Sequence, residues 1–263
     1  SPANWWLQPL GLIMGALMLG GSAAAVMALR RRIGIRRRHA GRIESVRALP
    51  SGITEVECAM DAGWPGHRAG QFAFVTFDAA EGAHPFTIAS ADQPQARRLR
   101  FQIKALGDYT NGLAQRLRPG QPVRVEGPYG RFDHRRGGSR QAWVAGGIGI
   151  TPFLAWLESL QDRPERAPRV DLHYCVRDAA RDPFVERLRT LCAALPRITL
   201  HVHDAGAGQR LDAEILRREH AQAGGAMDVW FCGPAGLARH LESGLRSLGL
   251  EDVPVHREAF EMR

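Results

Sequence analysis

At 263 residues the chain has room for about two domains, and its 44% apolar and 24% charged residues are those of a globular protein rather than a disordered one. The formal net charge of +8 suggests a polyanionic partner, but seven arginines (Arg30, Arg31, Arg32, Arg36, Arg37, Arg38 and Arg42) fall in the first 42 residues, before the first acid, Glu44. Without them 28 Lys and Arg face 27 Asp and Glu, so the body is near neutral and nucleic-acid binding loses its support.

No ionisable side chain precedes Arg30, and Pro9–Leu29 reads PLGLIMGALMLGGSAAAVMAL. As a helix this stretch runs about 31 Å at ~1.5 Å per residue, enough for a ~30 Å hydrocarbon layer. Trp5 and Trp6 stand where an interfacial belt would lie, and the arginine cluster marks the cytoplasmic side. A cleaved leader carries its positive charge before the apolar run, not after it. The expectation is a transmembrane helix with a basic juxtamembrane segment over 1–38, membrane lipid as a partner, and the remainder cytoplasmic. The chain lacks an initial Met, so a fragment of something larger is also expected. Four scattered cysteines (Cys58, Cys175, Cys192, Cys232) show no zinc or iron–sulfur spacing, so no metal site is expected.

From Arg42 to about Asp133, short strand-like runs alternate with turn signals: RIESVRAL, TEVECAM, QFAFVTF, HPFTIAS, LRFQIKAL and PVRVEG. They predict an antiparallel barrel over 39–135, broken by a short helix at Asn111–Leu117. HRRGGSRQ, at 134–141, is a polar linker and a boundary. Beyond it, QAWVAG, VDLHYCV, ITLHVHD, DVWFCG and VPVHREAF alternate with amphipathic helical stretches, which predicts a parallel sheet with helices on both faces over 136–263.

VAGGIGITP sets Gly146, Gly147 and Gly149 between a strand and a helix, where the backbone can approach a pyrophosphate and the helix start offers free N–H groups. In HPFTIAS, Phe86 could give a flavin a stacking face, Thr87 a hydrogen bond and His84 a phosphate contact, although the segment alone reads equally as a core strand. IKALGDYTNGL places Gly107, Tyr109 and Thr110 at the start of the short helix, a second anion-binding end, with Lys104 just before it. Arg177, after the second strand of the later domain, can pair with a 2′-phosphate, while an acid there (Asp178 is adjacent) would favour the free hydroxyl. NADPH is therefore expected over NADH.

The ordered set HPFT, GDYT, GPYG, GGIGITP, CGP and a C-terminal aromatic resembles the ferredoxin–NADP reductase superfamily over about Arg42 to Arg263. HPFT, with a preceding apolar helix, resembles its membrane branch of NADPH oxidases and ferric reductases. The resemblance implies an FAD barrel followed by an NAD(P)H domain. By it, His84, Pro85, Phe86 and Thr87 would hold the isoalloxazine and a phosphate, and Gly107, Tyr109 and Thr110 the diphosphate. Gly146, Gly147, Gly149, Ile150, Thr151 and Pro152 would cradle the nicotinamide dinucleotide, with Cys232, Gly233 and Pro234 at its ring and Phe260 covering the flavin. Thr87, Cys232 and Phe260 are the expected catalytic residues. Electrons would pass from NADPH through FAD to a haem and on to O2 or ferric iron. Pro9–Leu29 has no histidine, so that haem would belong to a membrane region outside this chain or to another subunit. A cytochrome b5 reductase-like enzyme with a protein acceptor and a non-catalytic flavin or nucleotide sensor are the alternatives.

Overall fold

The computed structural model describes residues 9–29 and 37–258, the side chains of Gly11 and of residues 23–29 excepted. Trp5, Trp6, Arg30–Arg36 and Phe260 lie outside the described residues. The chain divides into two units, residues 1–38 and 39–263. In the first, helix α1 spans Pro9–Leu29 and exposes Leu10, Leu12, Ile13, Leu17, Met18 and Leu19.

The structure corrects the expected membrane placement. Among the described residues, no helix is long and apolar enough to cross a membrane. A transmembrane span with cytoplasmic domains is accordingly withdrawn.

Six strands form the first sheet: β1 (Arg38–Leu49), β2 (Ile53–Met60), β3 (Phe72–Thr76), β4 (His84–Thr87), β5 (Arg98–Lys104) and β6 (Pro122–Tyr129). Their order is β4-β3-β6-β1-β2-β5, and a bridge from Ile88 to Phe101 closes the two ends into a barrel. Alternation explains the closure: Ala73 and Val75 of β3 are fully buried between half-buried Phe72, Phe74 and Thr76, so one face meets the core. Val56, Val75, Ile88, Phe101 and Val125 form the centre of that core. The expected helix at 111–117 shrinks to α2 (Leu113–Arg116), one turn after Gly112 in a left-handed conformation.

The supposed linker is partly interior. His134 is buried against Trp143 and Trp156, with ring centroids 5.5 and 5.3 Å away, and burial pushes its pKa down to about 4. Gln141 is buried too, its amide donating to the His134 carbonyl at 2.8 Å.

A five-stranded parallel sheet follows in the order β11-β10-β7-β8-β9, from β7 (Arg140–Gly146), β8 (Arg169–Val176), β9 (Ile198–Asp204), β10 (Asp228–Cys232) and β11 (Val255–Arg257). Helices α3 (Thr151–Leu160) and α4 (Val185–Ala193) cover one face, and α5 (Ala213–Gln222) and α6 (Ala235–Ser247) the other. Burial on both faces explains the unbroken apolar run of β7, where residues 141–146 are all buried. In α6, Ala238, Leu241 and Leu245 recur at helical spacing toward the sheet. The Asp212 carboxylate starts α5 by accepting from the Ile215 N–H at 3.0 Å.

Side chains tie the barrel to the layers of the parallel sheet. Glu158 on α3 accepts from the Arg100 guanidinium of β5 at 2.8 Å and the Ala91 N–H at 3.2 Å, and pairs with Arg187 of α4. The Trp156 indole N–H donates to the Ala69 carbonyl at 3.1 Å. These contacts tie α3 to the barrel.

Candidate functional site

The parallel order doubles back between β7 and β10, and at such a switch point the two adjacent strand ends open a crevice. Gly146 ends β7, and the loop after β10 begins at Gly233. A Cβ on Gly149 would stand 2.3 Å from the Cys232 carbonyl oxygen, one on Gly146 2.6 Å from Pro234, and one on Gly233 2.9 Å from the Gly146 nitrogen. Gly146 and Gly149 of the motif, and Gly233 of the facing loop, are therefore dictated by two loops packed backbone to backbone. Gly147 differs: its φ is +54° and nothing lies within 4 Å of the Cβ it lacks. That open, left-handed turn just before α3 is the place where a phosphate can approach the backbone. Ile150, Thr151 and Pro152 are buried, and the Thr151 hydroxyl donates to the Ile148 carbonyl at 3.2 Å, so they brace the turn rather than line it.

On the barrel side the β3–β4 register pairs Phe72 with Thr87, Ala73 with Phe86, Phe74 with Pro85 and Val75 with His84. Phe86 thus shares the core-facing side of the strand, its ring 6.3 Å from that of Phe77. Pro85 and Thr87 face the opposite way with Phe72 and Phe74, whose rings are 5.8 Å apart and also meet Tyr129. The aromatic surface beside Thr87 is hence built by residues that the HPFT segment does not contain. His84 stacks on Tyr109 at 3.6 Å between ring centroids, at the rim. Thr110 is occupied locally: its hydroxyl oxygen accepts from the Leu106 and Gly107 N–H groups at 2.9 and 3.2 Å. Since α2 begins only at Leu113, Tyr109 and Thr110 form a turn and not a helix start. Gly107 has open space where a Cβ would stand. Lys104 stands at the end of β5, and its charge slightly offsets the burial that raises the Asp182 carboxyl.

The two halves meet at Glu258, the residue that reading the sequence missed. The Thr87 hydroxyl donates to one of its carboxylate oxygens at 3.2 Å and the Cys232 thiol to the other at 3.1 Å. Register explains the meeting: Phe231 of β10 pairs with Arg257 of β11, so the next residues, Cys232 and Glu258, lie side by side. Desolvation pushes Glu258 up to about 7, against the two hydrogen bonds, which favour its charged form. Burial, then the adjacent Glu258, also raises the Cys232 thiol, which is therefore a neutral donor. The available signal was positional, an acid directly after the last strand.

Arg177 is exposed just beyond β8, its carbonyl accepting from the Gly206 N–H at 2.9 Å. The neighbouring Asp178 carboxylate already accepts from the Ala180 N–H at 3.0 Å and pairs with Arg181 at 3.7 Å.

These donors suit a flavin and a dinucleotide. A hydroxyl, a thiol and a carboxyl converge where two rings would meet, aromatic surface lies beside Thr87, and an open glycine turn stands at the nucleotide strand end.

Comparison with known proteins agrees with that reading. Residues 39–133 match the family model of an FAD-binding domain, and residues 143–243 that of the oxidoreductase NAD-binding domain. Vanillate O-demethylase oxidoreductase of Pseudomonas putida is 29% identical over 174 residues, covering 64% of this chain and 52% of that protein. The heme-dependent oxidative N-demethylase beta subunit of Ectopseudomonas mendocina is 29% identical over 224 residues, covering 83% of this chain and 68% of its own length. The chain spans about half the length of the curated relatives it first matches. Among solved structures, a ferredoxin NADP+ reductase from Neisseria gonorrhoeae with bound FAD and NADP superposes with a TM-score of 0.67 at 16% identity, covering 84% of this chain and 98% of that one. At that identity the likeness is one of fold.

Proposed function

We propose that this chain, which belongs to the ferredoxin–NADP reductase superfamily, is the reductase portion of an electron-transfer system that draws on NADPH and feeds a haem carried on a separate domain or subunit. It is an FAD- and NAD-binding oxidoreductase. A bound flavin would take up two electrons from a nicotinamide and give them up one at a time, which a one-electron acceptor requires. The named haem-dependent relative and the family resemblance favour haem as that acceptor, with O2 or ferric iron beyond it.

The observation that carries the reading is the convergence of Thr87, Cys232 and Glu258 from barrel and sheet. A carboxyl poised at about 7 can hold a proton at neutral pH and exchange it through the Thr87 hydroxyl or the Cys232 thiol. Both donors orient that carboxyl, and Gly147 leaves room for the dinucleotide backbone. Pro85 and Thr87, with Phe72 and Phe74 beside them, would hold the flavin ring, and His84, Tyr109 and Gly107 would lie toward its phosphates. Cys232, Gly233 and Pro234 would border the nicotinamide.

Arg177 supports the choice of NADPH, since its acidic neighbour is engaged elsewhere. Arg177→Ala should weaken NADPH roughly tenfold to a hundredfold, the loss of one charge-assisted contact, and leave NADH nearly unchanged. Anaerobic bleaching of the bound flavin's visible absorbance at varied nucleotide concentration measures both. Equal losses for the two nucleotides would remove Arg177 from the 2′-phosphate, and a flavin that neither nucleotide bleaches would remove the enzyme reading in favour of a sensor.

A further inference from the structure

A second group of ionisable side chains lies on the α5 face of the parallel sheet, away from the strand ends that carry Cys232. Asp171 and His173 alternate on β8, His201 and His203 alternate on the neighbouring edge strand β9, and Glu219 reaches them from α5. Asp171 and Glu219 are buried, and His201 stays half-exposed at the sheet edge. One donor atom each from Asp171, His201 and Glu219 falls within 4.8 Å of the other two.

From this geometry we propose that Asp171, His201 and Glu219 form a binding site for a divalent transition cation of the Zn2+ class. One imidazole nitrogen and two carboxylate oxygens make a borderline donor set, which zinc takes with water in the remaining position. Donors around a tetrahedral zinc stand roughly 3.4 Å apart, so small side-chain adjustments close the site. Both carboxylates are already oriented by second partners. Arg140 holds the Oδ2 atom of Asp171, leaving Oδ1 toward His201 Nε2 at 2.9 Å. His173 Nε2 holds Glu219 at 3.0 Å, and His173 Nδ1 is in turn held by His203 at 3.0 Å. Such outer partners fix ligand orientation in metal centres. The Arg140 guanidinium, a charge that opposes the ion among the described residues, disfavours hard cations that bind by charge alone, and the imidazole favours a transition ion. His201 at the edge gives the ion its way in. Bound there, the cation ties α5 to the two outermost strands and works as a staple independent of the flavin.

Titrating the FAD-loaded full chain, free of affinity tags, with Zn2+ by calorimetry tests the site, alongside thermal melts with and without the ion. One saturable equivalent should bind and the melting temperature should rise. His201→Ala and Glu219→Gln should each weaken that equivalent at least tenfold and abolish the rise, and His173→Asn should weaken it about tenfold through Glu219. His201 is half-exposed on an edge strand, so its variant tests the site even if the buried Glu219 variant folds poorly; bound-flavin absorbance reports folding. Absence of a saturable equivalent, or an equivalent that His201→Ala leaves intact, would overturn the proposal.

Discussion

The two strand ends that face each other across the candidate site are built on opposite principles. On the sheet side, Gly146, Gly149 and Gly233 bring two loops so close that any side chain would strike backbone or the Pro234 ring, and position is set by contact. On the barrel side Thr87 is placed by register: the pairing with β3 chooses its face, and the partner it meets, Glu258, comes from 171 residues away. Contact-built geometry tolerates no added atom, whereas register-built geometry tolerates substitution and yields mainly in chemistry.

The sharpest way to break this contrast is a single methyl. Gly149→Ala would put a Cβ 2.3 Å from the Cys232 carbonyl oxygen and should destabilise the fold by about 4 kcal/mol, at the upper end for overpacking. Urea unfolding reads this directly, and a loss under about 1 kcal/mol would show that the loops can part.

Glu258 gives the next largest effect, through pH. Its folded value of about 7 lies above its ordinary 4.5, so the folded state holds the proton more tightly than the unfolded chain does. Stability from this group is therefore complete below about 4.5 and falls as pH rises through about 7, by up to about 3 kcal/mol. Glu258→Gln should flatten that part of the pH–stability curve; an unchanged slope would assign it elsewhere.

Gly147→Ala sharpens the comparison from the other side. With φ at +54° and open space around it, alanine there should cost only about 1 kcal/mol of backbone strain. It should nonetheless weaken nucleotide binding, measured by flavin bleaching at varied NADPH, because the methyl enters the space a phosphate needs. Stability lost as heavily as in Gly149→Ala would erase the distinction between bracing and cradling glycines.

What the sequence reveals follows the same division. The barrel, the parallel sheet and the glycine loop are legible because alternation, buried apolar runs and a strand–glycine–helix order are local signals. Phe86 was expected as a stacking face, yet the pairing with Ala73 turns it toward the core, and register cannot be read from one strand alone. Tyr109 and Thr110 were expected at a helix start, but the Thr110 hydroxyl closes a turn on Leu106 and Gly107 instead. Glu258 escaped because its role depends on Cys232 and Thr87, neither of them near it in the chain. The apolar run at Pro9–Leu29 shows the reverse case: a strong local signal gave a helix, while the membrane span expected from it did not follow.

The most direct trial of the central claim is the anaerobic rate at which NADPH bleaches the bound flavin, followed from pH 5 to 9 in wild type and Glu258→Gln. With Glu258 serving as the proton-holding group between barrel and sheet, wild type should show an inflection near about 7, and the variant should be slower by about a hundredfold and lose the inflection. Superimposable profiles from the two proteins would contradict it.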